Sequence, residues 1–430
     1  MARRTLAGMF PEHFATVSNV KRVHADEYGW PDRLTFPDLL HMYRRNGLAA
    51  AAVNAFKSKT WQTVPVLRIT GKDDDLTSTE KAVAAHLARV RFWQQFAEAD
   101  ARSIVGDYGG LVLRFSDDKN MNEPVNKAVG ITKLFAAIPC WQHQLRPSEF
   151  DTDTTSETYG EPTMWEYAEN ATGSDGISAG PRRRFKVHPD RVVILSRDGT
   201  INDRSQLEAG YNAMLDAEKI SGAGAEGFFK TAKNAPVISM EDGNGFEEMA
   251  RGMGIDPSEL TDKLNEVVKA WASGFDASLL LSKMKTEFPN ITLPQPEEFW
   301  NICVMTFAAS MRIPFKVLIG MITGERASTE DAKDWARTNE ARRSGEIVPA
   351  IMTLIERFQE TDTLPAGEWR VEWESLLDDG PDAMMARAKT MSEINTSEAG
   401  EVFDVTEIRR AAGHPAGLTA GDDEEDDDDE

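Results

Sequence analysis

Residues 313–335 read IPFKVLIGMITGERASTEDAKDW, and the reading of this stretch decides what the rest of the chain is for. Gly320, Gly324 and a Thr-Gly-Glu-Arg turn separate an apolar run from a mostly charged one. Glycines so placed first suggest a phosphate-cradling loop. Such a loop needs G-x-x-x-x-G-K-[ST], because its lysine reaches the β- and γ-phosphates and its hydroxyl holds Mg²⁺. Here the second glycine comes one residue early, and Glu325 stands where the lysine belongs. A carboxylate set against phosphate repels it, so nucleotide binding is not expected. A turn joining two helices accounts for the same residues. Gly324 would take a positive φ, Ser328 or Thr329 would cap the second helix, and Asp331 follows Ser328 as a capping acid.

Working outward, Phe299, Ile302, Cys303, Phe307 and Met311 are expected to line one face of the preceding helix, which Pro314 ends. A longer, more charged helix should follow from about Thr329 to Phe358, with Pro349 a kink or break. EWRVEW, Glu368 to Trp373, reads as a strand, and helical segments follow it. Upstream, Phe36 to Lys57 has helical spacing, with Pro37 near its start and Leu39, Met42 and Tyr43 on one face. Thr60 to Ile69 alternates like a strand, Asp73–Asp75 mark a loop, and Thr79 to Val105 reads as one long amphipathic helix stopped by Gly106. Leu111–Phe115, ITKLFAAIP and Arg191–Ser196 are further strands, and the polar, turn-rich stretch from Ser116 to Asp190 suits a mixed β region. Helical character returns after Asp203, with Leu207, Tyr211, Met214, Leu215 and Ile220 at compatible steps. Pro236 to Pro294 reads as an insert: a strand (PVISM), a helix from Pro257 to Trp271 and an apolar LLLSKM segment. No internal repeat is visible.

Composition narrows the function classes. A chain of 430 residues with 41% apolar residues and ten tryptophans can build a sizeable core in two or three domains. The net charge is −23; the nine acids Asp422–Glu430 supply nine of those negatives and leave about −14 on the rest. So acidic a body argues against a sequence-reading nucleic-acid binder, which would carry a basic face, but not against a protein that touches DNA weakly and releases it. Cys140 and Cys303 are expected to be buried free thiols in a reducing compartment. The N-terminus lacks a signal-peptide h-region, and no apolar run reaches the roughly 18 residues of a membrane span, so no membrane association is expected.

The remaining chemical motifs are weak. Asp151-x-Asp153 begins like a calcium loop but lacks the third ligand and the glycine at the sixth position, so a solvated loop is favoured. His188 in KVHPDRVVIL has no second His or Cys at metal spacing and reads as a structural residue before a strand. Arg182–Arg184 is a basic triplet suited to a solvated loop or to half of an inter-subunit ion pair, and Asp422–Glu430 is a self-repelling run that cannot pack. There is no Ser–His–Asp signature, no outstanding carboxylate pair and no dinucleotide fingerprint, so no catalytic, cofactor or metal residues are assigned.

The order of three segments carries a resemblance. VHPDRVVIL, then LEAGYNAMLDAEKISGAGAEGFFKTA, then IPFKVLIGMITGERASTEDAKDW closely resemble the portal proteins of tailed bacteriophages. MYRRNGLAAAAVNAFKSKTW near the start, WRVEW after the long helix and VTEIRRAAGHP near the end agree with it. The resemblance covers roughly residues 36–415 and does not extend to the first 35 residues or the acidic extension after Leu418.

The resemblance implies an α+β portal fold assembled as a homo-oligomeric ring, usually of twelve subunits, at one capsid vertex. It divides the chain into an irregular segment (1–35), an α/β wing (36–202), a first stem helix (203–234), a clip (235–295) and a second stem helix (296–313). A tunnel loop (314–331), a long wing helix with its closing strand (332–375), a crown (376–416) and an acidic tail (417–430) complete it. Implied partners are double-stranded DNA passing through non-specifically, the terminase large subunit, a head-completion adaptor and the major capsid protein. Candidate tunnel residues are Lys316, Met321, Thr323, Glu325, Arg326 and Lys333; candidate stem-packing residues are Leu207, Tyr211, Met214, Phe299, Ile302, Phe307 and Met311. Glu259, Lys263, Lys283 and Lys285 are candidates for motor or adaptor contact. A packaging ATPase would need a Walker lysine and a following acidic strand, which the sequence lacks, and a head–tail adaptor or minor capsid component would usually be shorter.

Overall fold

Helix α1 (Phe36–Arg45) starts where the Thr35 hydroxyl and the Asp38 carboxylate meet at 2.6 Å, and Asp38 also accepts from the Thr35 backbone at 2.9 Å. The computed structural model describes residues 28–70, 76–125, 130–169, 183–233, 237–240, 284–287, 296–320, 329–377, 381–396 and 402–413, with scattered positions between 250 and 266. The single helix expected over Phe36–Lys57 is two. Asn46 is extended (φ −93°, ψ 122°), closes α1 through its N–H and opens α2 (Gly47–Thr60) by accepting from the Leu48 and Ala49 amides. Asparagine competes with the helical backbone in this way, which spacing alone does not reveal. The expected strand from Thr60 shortens to β1 (Val66–Ile69), because Thr60 still belongs to α2.

The long helix expected over Thr79–Val105 is likewise two, α3 (Ser78–Arg89) and α4 (Phe92–Val105). Arg91 turns left-handed between them at φ 53°, so the chain folds back and both helices reach one core. Gly106 does stop α4.

Strand β2 (Gly109–Phe115) is central. It is buried along its length except at Arg114 and pairs antiparallel with β3 (Leu134–Trp141) on one side and β7 (Val192–Leu195) on the other. The stretch Ile131–Lys133, read as strand, is a 3₁₀ turn. Arg191 is not strand either: it lies in a turn, buried, with Nη2 2.6 Å from Asp117 Oδ2. A second antiparallel sheet runs β4 (Leu145–Phe150), β5 (Pro162–Glu169), β6 (Arg183–Val187), with Trp165 opposite Val187.

Helical structure resumes later than expected. A 3₁₀ turn (Glu208–Gly210) leads into α5 (Tyr211–Lys233), so Leu207 is buried ahead of the helix rather than on it. In the insert, β8 (Val237–Met240) pairs antiparallel with β9 (Met284–Glu287), a strand that takes up the end of the stretch expected to be an apolar segment. Most of the Pro257–Trp271 helix expected there lies outside the described residues.

Helix α6 (Glu297–Ser310) is followed by α7 (Phe315–Ile319), which the sequence reading did not anticipate, and α8 (Thr329–Arg342). A π-helical turn (Arg343–Ile347) joins α8 to α9 (Val348–Glu360). Pro349 explains that turn: it offers no N–H to Gly345 four residues back, and its ring crowds that carbonyl, so the helix widens instead of ending. Strand β10 (Trp369–Glu372) then pairs antiparallel with β1, Ile69 opposite Trp369, and α10 (Pro381–Asn395) and α11 (Val405–Ala411) close the chain.

Two cores result. In one, α3, α4 and α9 pack on β1, β2, β3, β7 and β10, with Phe92, Phe96, Leu111, Leu134, Ile351 and Phe358 at its centre. The other gathers α1, α2, α5, α6, α7 and the start of α8 around Val53, Phe56, Leu207, Met214, Phe307 and Trp335. Helices and antiparallel sheets alternate along the chain and share a core, the mixed class expected.

Candidate functional site

Helix α6 ends at Ser310 because Arg312 adopts a left-handed conformation, φ 54°. The Ile313 amide donates to the Ala308 carbonyl at 3.0 Å and the Arg312 amide to Ala309 at 3.1 Å, while Ile313 is buried in the same core as Phe307. These are the paired bonds and the apolar contact of a Schellman stop, with arginine where glycine is usual. Pro314 therefore opens α7 rather than ending α6. It is extended (ψ 133°) and sits immediately before Phe315.

Gly320 stops α7 at φ 84°, ψ −170°, a region essentially restricted to glycine. Nothing lies within 4 Å of where a Cβ would stand, so conformation and not crowding demands the glycine. The positive φ expected at Gly324 falls outside the described residues, as do Met321, Thr323, Glu325, Arg326 and the Ser328 cap. Of the tunnel candidates, Lys316 lies exposed on α7 and Lys333 exposed on α8. Helix α7 packs against α2, α6 and α8, and Leu318 is buried beside Phe56 and Trp335, so both ends of the intervening loop rest on one core.

The stem candidates divide. Leu207, Met214, Phe307 and Met311 are buried together, and Tyr211 is half-buried against them. Gly210 lets α6 approach: a Cβ there would lie 2.5 Å from both Phe307 Cδ2 and Ser310 Oγ. Phe299 and Ile302, expected on that same face, are instead 61% and 56% exposed, so the buried stripe is Val304, Phe307, Ala308 and Met311. Apolar residues surround α6, and spacing therefore does not single out the buried side. Helix α5 is tied to the first helices by Trp30, whose Nε1 donates to Asp216 at 3.0 Å, and by Asn46, whose Nδ2 donates to Glu218 at 2.8 Å. Sequence reading missed Gly210, Trp30 and Asn46; only a glycine just before a helix hinted at the first.

Among the insert candidates, Glu259 and Lys263 are exposed, Lys285 lies in β9, and Lys283 is outside the described residues. The weaker motifs are spent on structure. The Ser156 hydroxyl, the Asp153 amide and the Thr158 hydroxyl hold the Asp151 carboxyl below its usual range, and Thr155 does the same for Asp153. His188 Nδ1 accepts from the Asp190 amide at 3.2 Å, and Arg184, a residue of β6 rather than of a loop, pairs with Glu166 at 3.4 Å. Cys140 is buried, which pushes its thiol up to about 12, and Cys303 is only half-buried; both are free. No described helix is long and apolar enough to cross a membrane.

Two helices held by a close glycine contact and leading into an anchored elbow define a structural module, and comparison with known proteins gives its class. A family model described as phage portal protein matches residues 37–394. The chain belongs to the phage portal protein family and is a structural portal protein of the head–tail connector. Its fold is similar to a chain in the neck of an empty GTA particle (C6 symmetry): TM-score 0.52, 14% identity, 94% of this chain and 98% of that one. A chain in the neck of the native GTA particle (C12 symmetry) aligns with TM-score 0.50, 15% identity, and 95% and 100% coverage. At such identities the likeness is one of fold. None of the curated proteins compared with the chain matches it.

Proposed function

We propose that the chain is one subunit of a closed ring, of about twelve copies as in the C12-averaged neck, through which double-stranded DNA enters and leaves a capsid. One observation carries this reading. The α5–α6 pair hides one face and leaves Phe228, Phe299, Ile302 and Met305 exposed at 71%, 61%, 56% and 48%. An apolar stripe of this kind marks an interaction surface, and burying such a side chain is worth roughly 1.5–3 kcal/mol. A closed ring covers the stripe on every subunit and leaves no open end. Phe299 and Ile302 then act between subunits, while Leu207, Tyr211, Met214, Phe307 and Met311 act within one. The test is the mass of the purified assembly. Phe299→Asp with Ile302→Asp should release monomers or short oligomers; a full-sized ring from that variant would remove the stripe from the interface.

On this reading residues 36–202 and 332–375 form the wing, a division supported by the single core that α9 and β10 share with β1, β2 and α4. Residues 203–234 and 296–313 are the stem, 235–295 the clip, 314–331 the tunnel loop and 376–416 the crown. The elbow after α7 lines the hole, with Lys316 and Lys333 at its two ends and Met321, Thr323, Glu325 and Arg326 between them. An acidic wall, in keeping with a chain of net charge −23, would repel phosphate and let the duplex slide, while a few cations steady it. Arg326→Glu should leave the ring assembled and lower the packaged DNA; normal packaging would remove Arg326 from the contact. Glu259, Lys263, Lys283 and Lys285 face the terminase large subunit and later a head-completion adaptor, the wing meets the major capsid protein, and the ring sits in the virion at the capsid vertex. None of these roles involves bond making by the chain.

A further inference from the structure

A cleft of about 570 Å³ lies between α1 and the turn that joins β3 to β4, lined by none of the stem-stripe residues. Its first wall is one side of α1, with Phe36 and Leu40 as an apolar floor and His41 and Arg44 above it; the opposite wall is Tyr108, His143 and Arg146. Phe36 stacks on His143 with ring centroids 5.2 Å apart and planes at 28°, which fixes the floor. Tyr108 donates to the Leu145 carbonyl at 2.6 Å and so holds the first residue of β4 beside Arg146.

The charge of this cleft is at odds with the rest of the protein. In a chain of net charge −23, two guanidinium groups and two imidazoles converge on one concavity. Among the described residues neither Arg44 nor Arg146 forms an ion pair, and the nearby Asp107 carboxylate is already held by the Gln142 amide at 3.0 Å. Guanidinium groups are the usual partners of carboxylates because their fork matches both oxygens.

We propose that this cleft is a docking site for an acidic, apolar-tipped peptide segment of another protein, its carboxylates on Arg44 and Arg146 and its apolar side chain on Phe36 and Leu40. The aromatic floor favours a peptide over a nucleic-acid duplex, whose bases are stacked on one another and not free to fill it. The protein's net charge of −23 repels a polyanion while costing a segment with one or two carboxylates little. Its volume falls in the range of sites that take a few side chains. The proposal does not depend on the ring or the DNA path.

The probe is a short fluorescein-labelled peptide alternating Glu and Leu, titrated by anisotropy into the full-length protein. It should bind the wild type and lose roughly tenfold or more in affinity to the double variant Arg44→Glu, Arg146→Glu. A Gln-for-Glu peptide should not bind. Both arginines are exposed, so the variant should melt as the wild type does, and Leu40→Ser should weaken binding with the charges intact. Equal affinity in wild type and double variant, equal binding of the Gln peptide, or arginine-dependent binding of a duplex oligonucleotide without binding of the Glu–Leu peptide would each overturn the proposal.

Discussion

Glu80 shows how much one side chain can hold. It is buried at the start of α3 and accepts from the amides of Ile69 and Thr77 at 2.6 Å each and from the Thr77 hydroxyl at 2.8 Å. The Ile69 amide contributes most, and together with Thr77 and Arg68 it outweighs burial and lowers the carboxyl from 4.5 to about 2. A carboxyl held down in the fold stabilises it at every pH above about 4.5 and gives that up as pH falls toward 2. Glu80→Gln should therefore melt below the wild type at neutral pH, and the gap should close between pH 4.5 and 2 in melts taken across that range. A gap that stays constant would mean the charge does not matter. At Gly320 the backbone is the constraint: alanine should cost roughly 1–3 kcal/mol, read as a lower melting midpoint, although no atom is displaced. The sequence pointed to Gly324 because its neighbours form the visible turn. Pro314 before FKVLI and Gly320 after it are the start and stop of a short helix, a pattern legible in principle.

Among the elements, the widened turn between α8 and α9 is the best anchored. Arg342 pairs with Asp100 through both nitrogens of its fork, one at 3.0 Å, and Trp61 Nε1 donates to the same carboxylate at 2.8 Å. Burial works against the Arg342 charge, but Asp100 prevails and raises its pKa. Arg343 reaches the Thr60 carbonyl at 2.7 Å and the Glu374 carbonyl at 2.8 Å, so the turn is bound to α2 and to the segment after β10. Arg342→Leu should cost about 3–5 kcal/mol by leaving Asp100 buried and uncompensated, and Asp100→Leu on top of it should recover much of the loss in denaturant melts. A double variant that loses the sum of the two single losses would mean that the pair carries no such coupling. Element types were widely legible: the long helix distorted at Pro349, the WRVEW strand and β2 lie where spacing and β-branched content place them. Breaks at Asn46 and Arg91 were not, since a cap or a left-handed residue inside a helical pattern leaves the apolar period intact. The buried side of α6 was illegible for another reason. Phe299 and Phe307 look alike in sequence, and only the packing of α5 tells them apart.

For the whole molecule, the family was legible from the order of segments, because three short motifs in sequence are more specific than any one of them. The cleft with Arg44 and Arg146 was not, since its walls come from residues about a hundred positions apart. The proposed arrangement, copies side by side around an axis with the elbow pointing inward, would cover the exposed apolar stripe on every subunit. Electron microscopy of the purified protein, at a resolution that traces helices, tests this most directly. A closed ring with a central opening, α7 and the start of α8 at its inner edge and the Phe299 stripe against a neighbour, is the predicted result. A monomer, or a ring with α7 on the outer rim, would contradict it.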